Sequence, residues 1–285
     1  MERKREMIAR MVPSYPVATL CQVLDCPRSS YYYQPQPPND RVLREKIEQI
    51  HARWPFYGYR RVTAQLKREG LPMNTKAVRR IMKKLDMRGK VGLVRRSTTD
   101  SQHDYPRFPN LVKDLEAAYP DHMWVADITY LWLPTRFVYL AFILDAFTRA
   151  VRGWHLGRSL SHSLTLTALE RALAQHGPPT IHHSDQGVQY AATKYVQLLE
   201  NHEVQISMAA AGQPTENPFA ERFVRTFKEE HYDYTEYTGF DDAHQQIGDW
   251  IEQVYNIERI HSALGYLTPV EFEAAFRSRE LLIIA

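Results

Sequence analysis

Cysteine is nearly absent from this chain: Cys21 and Cys26 are the two among 285 residues. Two thiols exclude a disulfide framework and a four-cysteine zinc site, and they fit a reducing, cytoplasmic setting. No apolar run approaches the ~18 residues that a membrane-spanning helix requires, so no membrane partner is expected. The basic start, Met1–Arg10, leads into a segment interrupted by Pro13, Ser14 and Pro16, which leaves no apolar core for a signal peptide. Internal repeats, low-complexity tracts and a convincing heptad run are also missing. Cys21 and Cys26 then read as small core residues.

What is present is an uneven distribution of charge. The formal net charge is +3, yet residues 1–110 carry 23 Lys/Arg against 10 Asp/Glu, a balance of +13, which leaves −10 for residues 111–285. A basic first part points to nucleic acid. An acidic second part is compatible with clustered carboxylates that hold cations, although most acidic residues only solvate a surface. Gln34–Asp40 (QPQPPND) is a linker because its prolines cannot continue a helix. Arg95–Pro109 is polar and ends near two prolines, a second linker. The chain therefore divides into a small helical segment over 1–38, a basic helix-turn-helix domain over 39–94, a linker over 95–120 and an α/β domain with C-terminal helices over 121–285.

In the basic domain, Val42–Ala52 reads as a helix with Ile47, Ile50 and His51 on one side, and Tyr59–Arg68 as a second helix closed by Gly70. Asn74 is placed to cap a third, in which Val78, Ile81, Met82 and Leu85 follow the spacing of a buried stripe. The remainder of that helix carries Lys76, Arg79, Arg80, Lys83 and Lys84, the arrangement of a recognition helix entering a major groove. A small helical bundle with a solvated basic face is the competing reading of the block alone. In residues 1–33, Val17–Leu24 forms a helix and Pro27–Tyr31 begins another.

From His122 onward, Met123–Leu133, Phe137–Asp145 and Ala150–Leu156 read as consecutive strands joined by short turns. There follow a helix (Ser163–Gln175), a strand (Thr180–His183), a helix (Ala192–Glu200), a strand (Val204–Ser207) and longer helices near Asn217–His231 and Asp241–Tyr255. Three strands and then alternating helix and strand is the order of a ribonuclease-H-like α/β layer. Asp127 interrupts the first strand, where an ionised group is costly unless it is paired or bound to a cation. Asp185 follows the fourth strand at a glycine-containing turn, the edge at which open α/β sheets bind ligands. Glu221 lies on a helix after the Ala211-Gly212-Gln213-Pro214 loop. There Phe219, Phe223 and Phe227 form a stripe that buries, while Asn217, Glu221 and Lys228 project away from it. Each acid taken alone reads as structural more readily than functional.

Taken together, 57 residues separate Asp127 from Asp185 and 35 separate Asp185 from Glu221. That spacing, and the words WVADITY, HSDQGVQY, ENPFAERFVRTFKEE and YNIERIHSALGYLTPVEF, resemble the OrfB-type transposases of the IS-three group of bacterial insertion sequences. These belong to the superfamily that joins DDE transposases to retroviral integrases. YGYRRVTAQLKREG and the basic helix after it are similar to that family's helix-turn-helix region, so the likeness runs over nearly the whole chain. One departure is Glu216, where many relatives carry Asp.

The resemblance implies an α/β fold class, a ribonuclease-H-like integrase catalytic core preceded by an all-α helix-turn-helix region. It implies a DDE transposase in which Asp127, Asp185 and Glu221 hold two Mg²⁺ ions, with Mn²⁺ able to substitute. Asp127 would bridge the ions, Asp185 would hold one and Glu221 the other. Cleavage by water and joining by a DNA 3′-hydroxyl would then proceed without a covalent protein–DNA intermediate. The implied partners are double-stranded DNA (terminal inverted repeats and target), other copies of the chain assembled on that DNA, and an upstream OrfA protein joined by frameshift fusion. This chain would then be the catalytic part, associated with the bacterial nucleoid. Lys228 suits a phosphate or terminal-base contact, with a solvated lysine as the equal alternative. Asn256, Arg259 and His261 suit DNA contact or packing. The pair His182-His183 lacks a complete zinc-ligand set and reads as structural. A domesticated non-catalytic DNA-binding protein and a ribonuclease-H-type nuclease are the alternatives, and inverted repeats flanking the gene would separate them from a transposase.

Overall fold

The computed structural model describes residues 2–33, 40–87, 107–210 and 216–284, with side chains to 278. Both proline-rich linkers fall largely outside the described residues, and so does the Ala211–Pro214 loop. The chain forms two compact units, residues 1–46 and 47–285.

The first unit holds α1 (Glu2–Met11), α2 (Val17–Val23) and α3 (Arg28–Tyr32), and the start of α4 (Arg41–Arg53). Ile8, Leu20, Cys21 and Cys26 bury together, the two thiols acting as small apolar residues. The helix over Glu2–Met11 lies in a stretch for which no element was expected.

The second unit opens with the rest of α4, then α5 (Tyr59–Arg68) and α6 (Thr75–Lys84). Asn74 caps α6 as its sequence position suggests: its side chain accepts from the Lys76 amide at 2.8 Å. Gly70 takes φ +81°, the left-handed conformation that ends α5. Ile47, Ile50, Val62, Leu66, Val78, Ile81 and Met82 are all buried. Lys76, Arg79, Arg80, Lys83 and Lys84 are all exposed, so the buried stripe and the basic face separate cleanly on α6.

Five strands follow: β1 (Met123–Leu133), β2 (Arg136–Asp145), β3 (Val151–Gly157), β4 (Ile181–Ser184) and β5 (Gln205–Met208). They form one mixed sheet in the order β3-β2-β1-β4-β5. The β1–β2 and β2–β3 pairs are antiparallel, whereas β1–β4 and β4–β5 are parallel. Helices α7 (His162–His176) and α8 (Thr193–Asn201) cover one face; there Trp124, Ala126, Leu169, Tyr195 and Leu199 share a core. The other face buries Met123, Val125, Leu140 and Phe142 against Phe223, Phe227, Ile247 and Trp250, which come from α9 (Pro218–Glu230), α10 (Phe240–Asp249) and the turns after it. Alternation along β1 thus assigns odd-numbered residues to the α9 side. The α7 layer needs Gly153 on β3, since a Cβ there would meet the Ala168 carbonyl at 2.4 Å.

The helix expected over 241–255 is α-helical only to Asp249 and then continues as a π-helix, Trp250–Glu258. The wider turn sets residues five apart on one side, so Trp250 and Tyr255 meet at 5.4 Å and both reach the core. It also lets Asn256 donate to the Val151 carbonyl at 3.1 Å and accept from its amide at 2.9 Å. A terminal helix, α11 (Pro269–Ile284), completes the chain. Among the described residues no helix is long and apolar enough to cross a membrane.

Candidate active site

The site forms where β4 ends and β1 continues. Strand β4 pairs with Met123–Val125 alone, so from Ala126 onward that edge of β1 is left to side chains. Asn217, buried ahead of α9, donates its Nδ2 to the Ala126 carbonyl at 3.1 Å. The Tyr232 hydroxyl accepts from the Trp132 amide at 2.7 Å and donates to the Trp132 carbonyl at 2.9 Å. These two brackets satisfy backbone groups that a neighbouring strand would otherwise take, and they hold both ends of α9 to β1. Asp127 lies between them.

Asp127 occupies an odd position and so points to the α9 side, where Val125 and Leu131 enter the core on either side of it. The Ile128 amide donates to its Oδ1 at 2.7 Å. Asp185 follows β4 and accepts from the Gly187 amide at 3.0 Å, an Asx-type turn that sets its direction. Glu221 lies in the first turn of α9 and is exposed, while Phe223 and Phe227 of the same helix are buried. Strand centre, strand end and helix therefore each contribute one carboxylate.

The three carboxylates interact electrostatically. Burial pushes the Asp127 carboxyl up to about 7, reinforced by the Asp185 and Glu221 charges and opposed by the Ile128 hydrogen bond and the Lys228 charge. Lys228, half-buried two turns beyond Glu221, is therefore part of the same electrostatic neighbourhood. Burial raises Tyr130 and Tyr190 too, with contributions from the Asp127 and Asp185 charges. Both tyrosines thus feel the charges of the two aspartates, a neighbourhood that sequence reasoning missed; the position of Tyr190 inside the word HSDQGVQY was the available signal.

A hard divalent cation suits such a set, because the donors are carboxylate oxygens and a buried carboxyl between like charges is relieved by positive charge. Among the described residues, no three His, Cys, Asp or Glu side chains gather around one point at metal-binding distance. The division inferred from the resemblance needs only two protein carboxylates for each ion, with Asp127 common to both.

The remaining residues singled out in the sequence have packing roles in the structure. His182 Nε2 pairs with the Tyr195 hydroxyl at 2.9 Å. His183 engages the Ser207 hydroxyl at 2.9 Å and the Glu216 carbonyl at 3.2 Å. Burial lowers both imidazoles, His182 to about 3. Glu216 accepts from Asn110 Nδ2 at 2.9 Å and from the Ala210 amide at 2.7 Å, bracing the chain ahead of α9. Arg259 is buried in a bidentate pair with Glu230, with both hydrogen bonds at 2.7 Å, and His261 packs edge-on to Tyr255.

Comparison with known proteins accords with this architecture. Residues 117–214 and 202–269 match two families each described as an integrase core domain, and residues 38–96 match an HTH-like domain. The chain is 35% identical over 270 residues to the 31 kDa protein of insertion element IS600 from Shigella sonnei, covering 91% of this chain and 98% of that protein. It is 30% identical over 236 residues to the transposase for insertion sequence element IS904 from Lactococcus lactis, covering 81% and 93%. In fold it is similar to a chain of the simian T-cell lymphotropic virus intasome, with a TM-score of 0.50 and 18% identity over 80% of this chain and 74% of that one. The chain belongs to the IS-three-group family of insertion-sequence transposases, with an integrase core of the DDE polynucleotidyl transferase type behind a helix-turn-helix domain.

Proposed function

We propose that this chain cleaves the ends of an insertion sequence and joins them to target DNA, in a divalent-metal-dependent reaction at Asp127, Asp185 and Glu221. The observation that carries this reading is the placement of Asp127 on β1 between buried Val125 and Leu131, with burial and the charges of Asp185 and Glu221 pushing its carboxyl up to about 7. A fold that gathers like charges at a strand edge, at a cost to its own stability, has a use for them. Asp127 and Asp185 would hold one Mg²⁺ and Asp127 and Glu221 a second. Two such ions, when bound, supply activation of the attacking oxygen and stabilisation of the leaving one during in-line phosphoryl displacement.

The protein's own part is positioning. The Ile128 and Gly187 amides fix the directions of Asp127 and Asp185. The brackets at Ala126 and Trp132 keep α9, and with it Glu221, at a set height along β1. Lys228 would contact a phosphate of the DNA end, while Lys76, Arg79, Arg80, Lys83 and Lys84 on α6 would hold duplex DNA of the terminal repeat, other copies of the chain joining on the same DNA. The test is to incubate the protein with labelled duplexes carrying the gene's flanking ends, with and without Mg²⁺, beside Glu221→Gln. Metal-dependent cleaved and joined products from the wild type alone are expected. Products from both proteins, or undiminished activity in chelator, would remove Glu221 or the metal from the mechanism. Binding without products calls for the same assay with the upstream OrfA partner fused.

A further inference from the structure

Two of the sequence words that resemble the family, YGYRRVTAQLKREG and YNIERIHSALGYLTPVEF, are about 200 residues apart and find no role in the carboxylate site. In the structure they meet. Tyr57, fully buried, accepts from the Ile260 amide through its hydroxyl at 3.1 Å. Arg61 Nη1 donates to Glu230 Oε1 at 3.0 Å, and the same carboxylate takes the bidentate pair from Arg259. The Arg61 guanidinium lies over the Tyr57 ring, 4.5 Å from its centroid. Around this centre stand Arg53 with Glu258 at 2.8 Å, Arg68 with Glu271 at 2.9 Å, and Phe56 against Tyr234 at 4.9 Å. Burial alone would raise the Glu230 carboxyl, but the Arg259 and Arg61 charges outweigh it and hold the group below its usual range.

Glu230 is the last residue of α9, the helix that begins with Glu221 in its first turn. Arg61 lies on α5, which packs directly against α6. We infer that Tyr57, Arg61, Glu230 and Arg259 form a seam that fixes the helix-turn-helix helices to the catalytic helix, so that one chain sets the distance between the DNA held by α6 and the phosphodiester presented to Glu221. This rests on the function proposed above. Its residues are positioning residues and touch no substrate. Mechanically, α9 is the shared member: its first turn bears an acid of the site, and its last residue is clamped from two sides by arginines that belong to the two distant words.

The test reads geometry independently of catalysis. A cysteine introduced at exposed Arg225, one turn from Glu221, carries an iron chelate that generates hydroxyl radicals, while Cys21 and Cys26 are buried. On a duplex bearing the flanking terminal repeat, the tethered protein is expected to cut the backbone in one narrow window. Adding Arg61→Ala leaves Glu230 paired with Arg259, so the fold survives. That variant is expected to broaden the window and to lower the ratio of its central to its flanking cuts about tenfold, the loss of one charge-assisted hydrogen bond. Its DNA affinity should be unchanged, and Arg61→Lys should restore the narrow window. An equally sharp window with Arg61→Ala would overturn the seam. A sharp wild-type window in a protein that forms no Mg²⁺-dependent products, alone or with the OrfA partner fused, would overturn the enzymatic reading and leave the seam intact.

Discussion

Helix α9 places two glutamates in opposite circumstances. Glu221, at its start, adds its charge to that of Asp185 in raising Asp127, whose carboxyl burial and these like charges push up to about 7. Glu230, at its end, is wrapped by Arg61 and Arg259 and held low. Glu221 is exposed and Glu230 largely buried, so the direct comparison is between Asp127 and Glu230: both are withdrawn from water, and the sign of the neighbouring charge separates them. A compensated buried charge joins parts of a fold together. An uncompensated one marks a place completed by something from outside.

The comparison breaks most visibly in activity. Asp127→Asn and Glu221→Gln should each reduce cleavage and joining by ~10³-fold or more, since a metal clamp contributes several kcal/mol to such a transition state, while DNA binding by gel shift stays close to wild type. Stability should move the other way. The native Asp127 carboxyl titrates at about 7 against an ordinary value of 3.8, so between these pH values the folded chain binds more protons than the unfolded one. Metal-free stability therefore falls as pH rises through that window, and the cost is fully present above it. Asp127→Asn should stabilise the metal-free protein by roughly 2 kcal/mol at pH 8, after discounting for screening. The gain should fade toward pH 4 in urea titrations, and a flat difference across pH would count against the coupling.

The other glutamate sharpens the contrast. Glu230→Ala leaves two arginines facing each other and should cost ~3 kcal/mol, whereas Glu221→Ala, an exposed change, should stay within about 0.5 kcal/mol. Because the Glu230 carboxyl is held low, its stabilising contribution is present above the ordinary carboxylate range and is lost as pH falls through its folded value. Urea midpoints for both variants at pH 7 and pH 4 measure this. On α6, replacing Arg80 and Lys83 together should lower the slope of log affinity against log salt by about 2, since two DNA phosphates are then no longer neutralised by the protein. Tyr195→Phe should have the smallest effect, about 1 kcal/mol, because it removes one hydrogen bond from the buried His182.

Much of the catalytic half could be read from local pattern. A single acid inside an otherwise apolar strand made Asp127 conspicuous, and the 3.6-residue period along α9 separated Glu221 from the phenylalanines. The stripe and cap of α6 were legible for the same reason. The π-helical turn at Trp250–Glu258 was not, since its spacing satisfies a particular set of aromatic neighbours rather than a propensity. The Arg61–Glu230–Arg259 cluster was not legible either: Arg61 and Glu230 are 169 residues apart in sequence, and each reads locally as a solvated charge. The signal at hand was that two words carrying the family resemblance hold none of the three acids of the candidate site.

The seam also has a consequence for modularity. Helix-turn-helix units invite exchange, and a designer wishing to redirect this chain to other DNA would graft a foreign α4–α6 block onto the core. Such a graft brings new partners for Glu230, Arg259 and the Ile260 amide, which in this chain are met by Arg61 and Tyr57. A donor lacking a tyrosine and an arginine at those two places would leave a buried ion cluster one member short and a backbone amide without its acceptor. The unit of inheritance is thus larger than the helix-turn-helix helices: they can be exchanged only together with the residues that fasten them to α9.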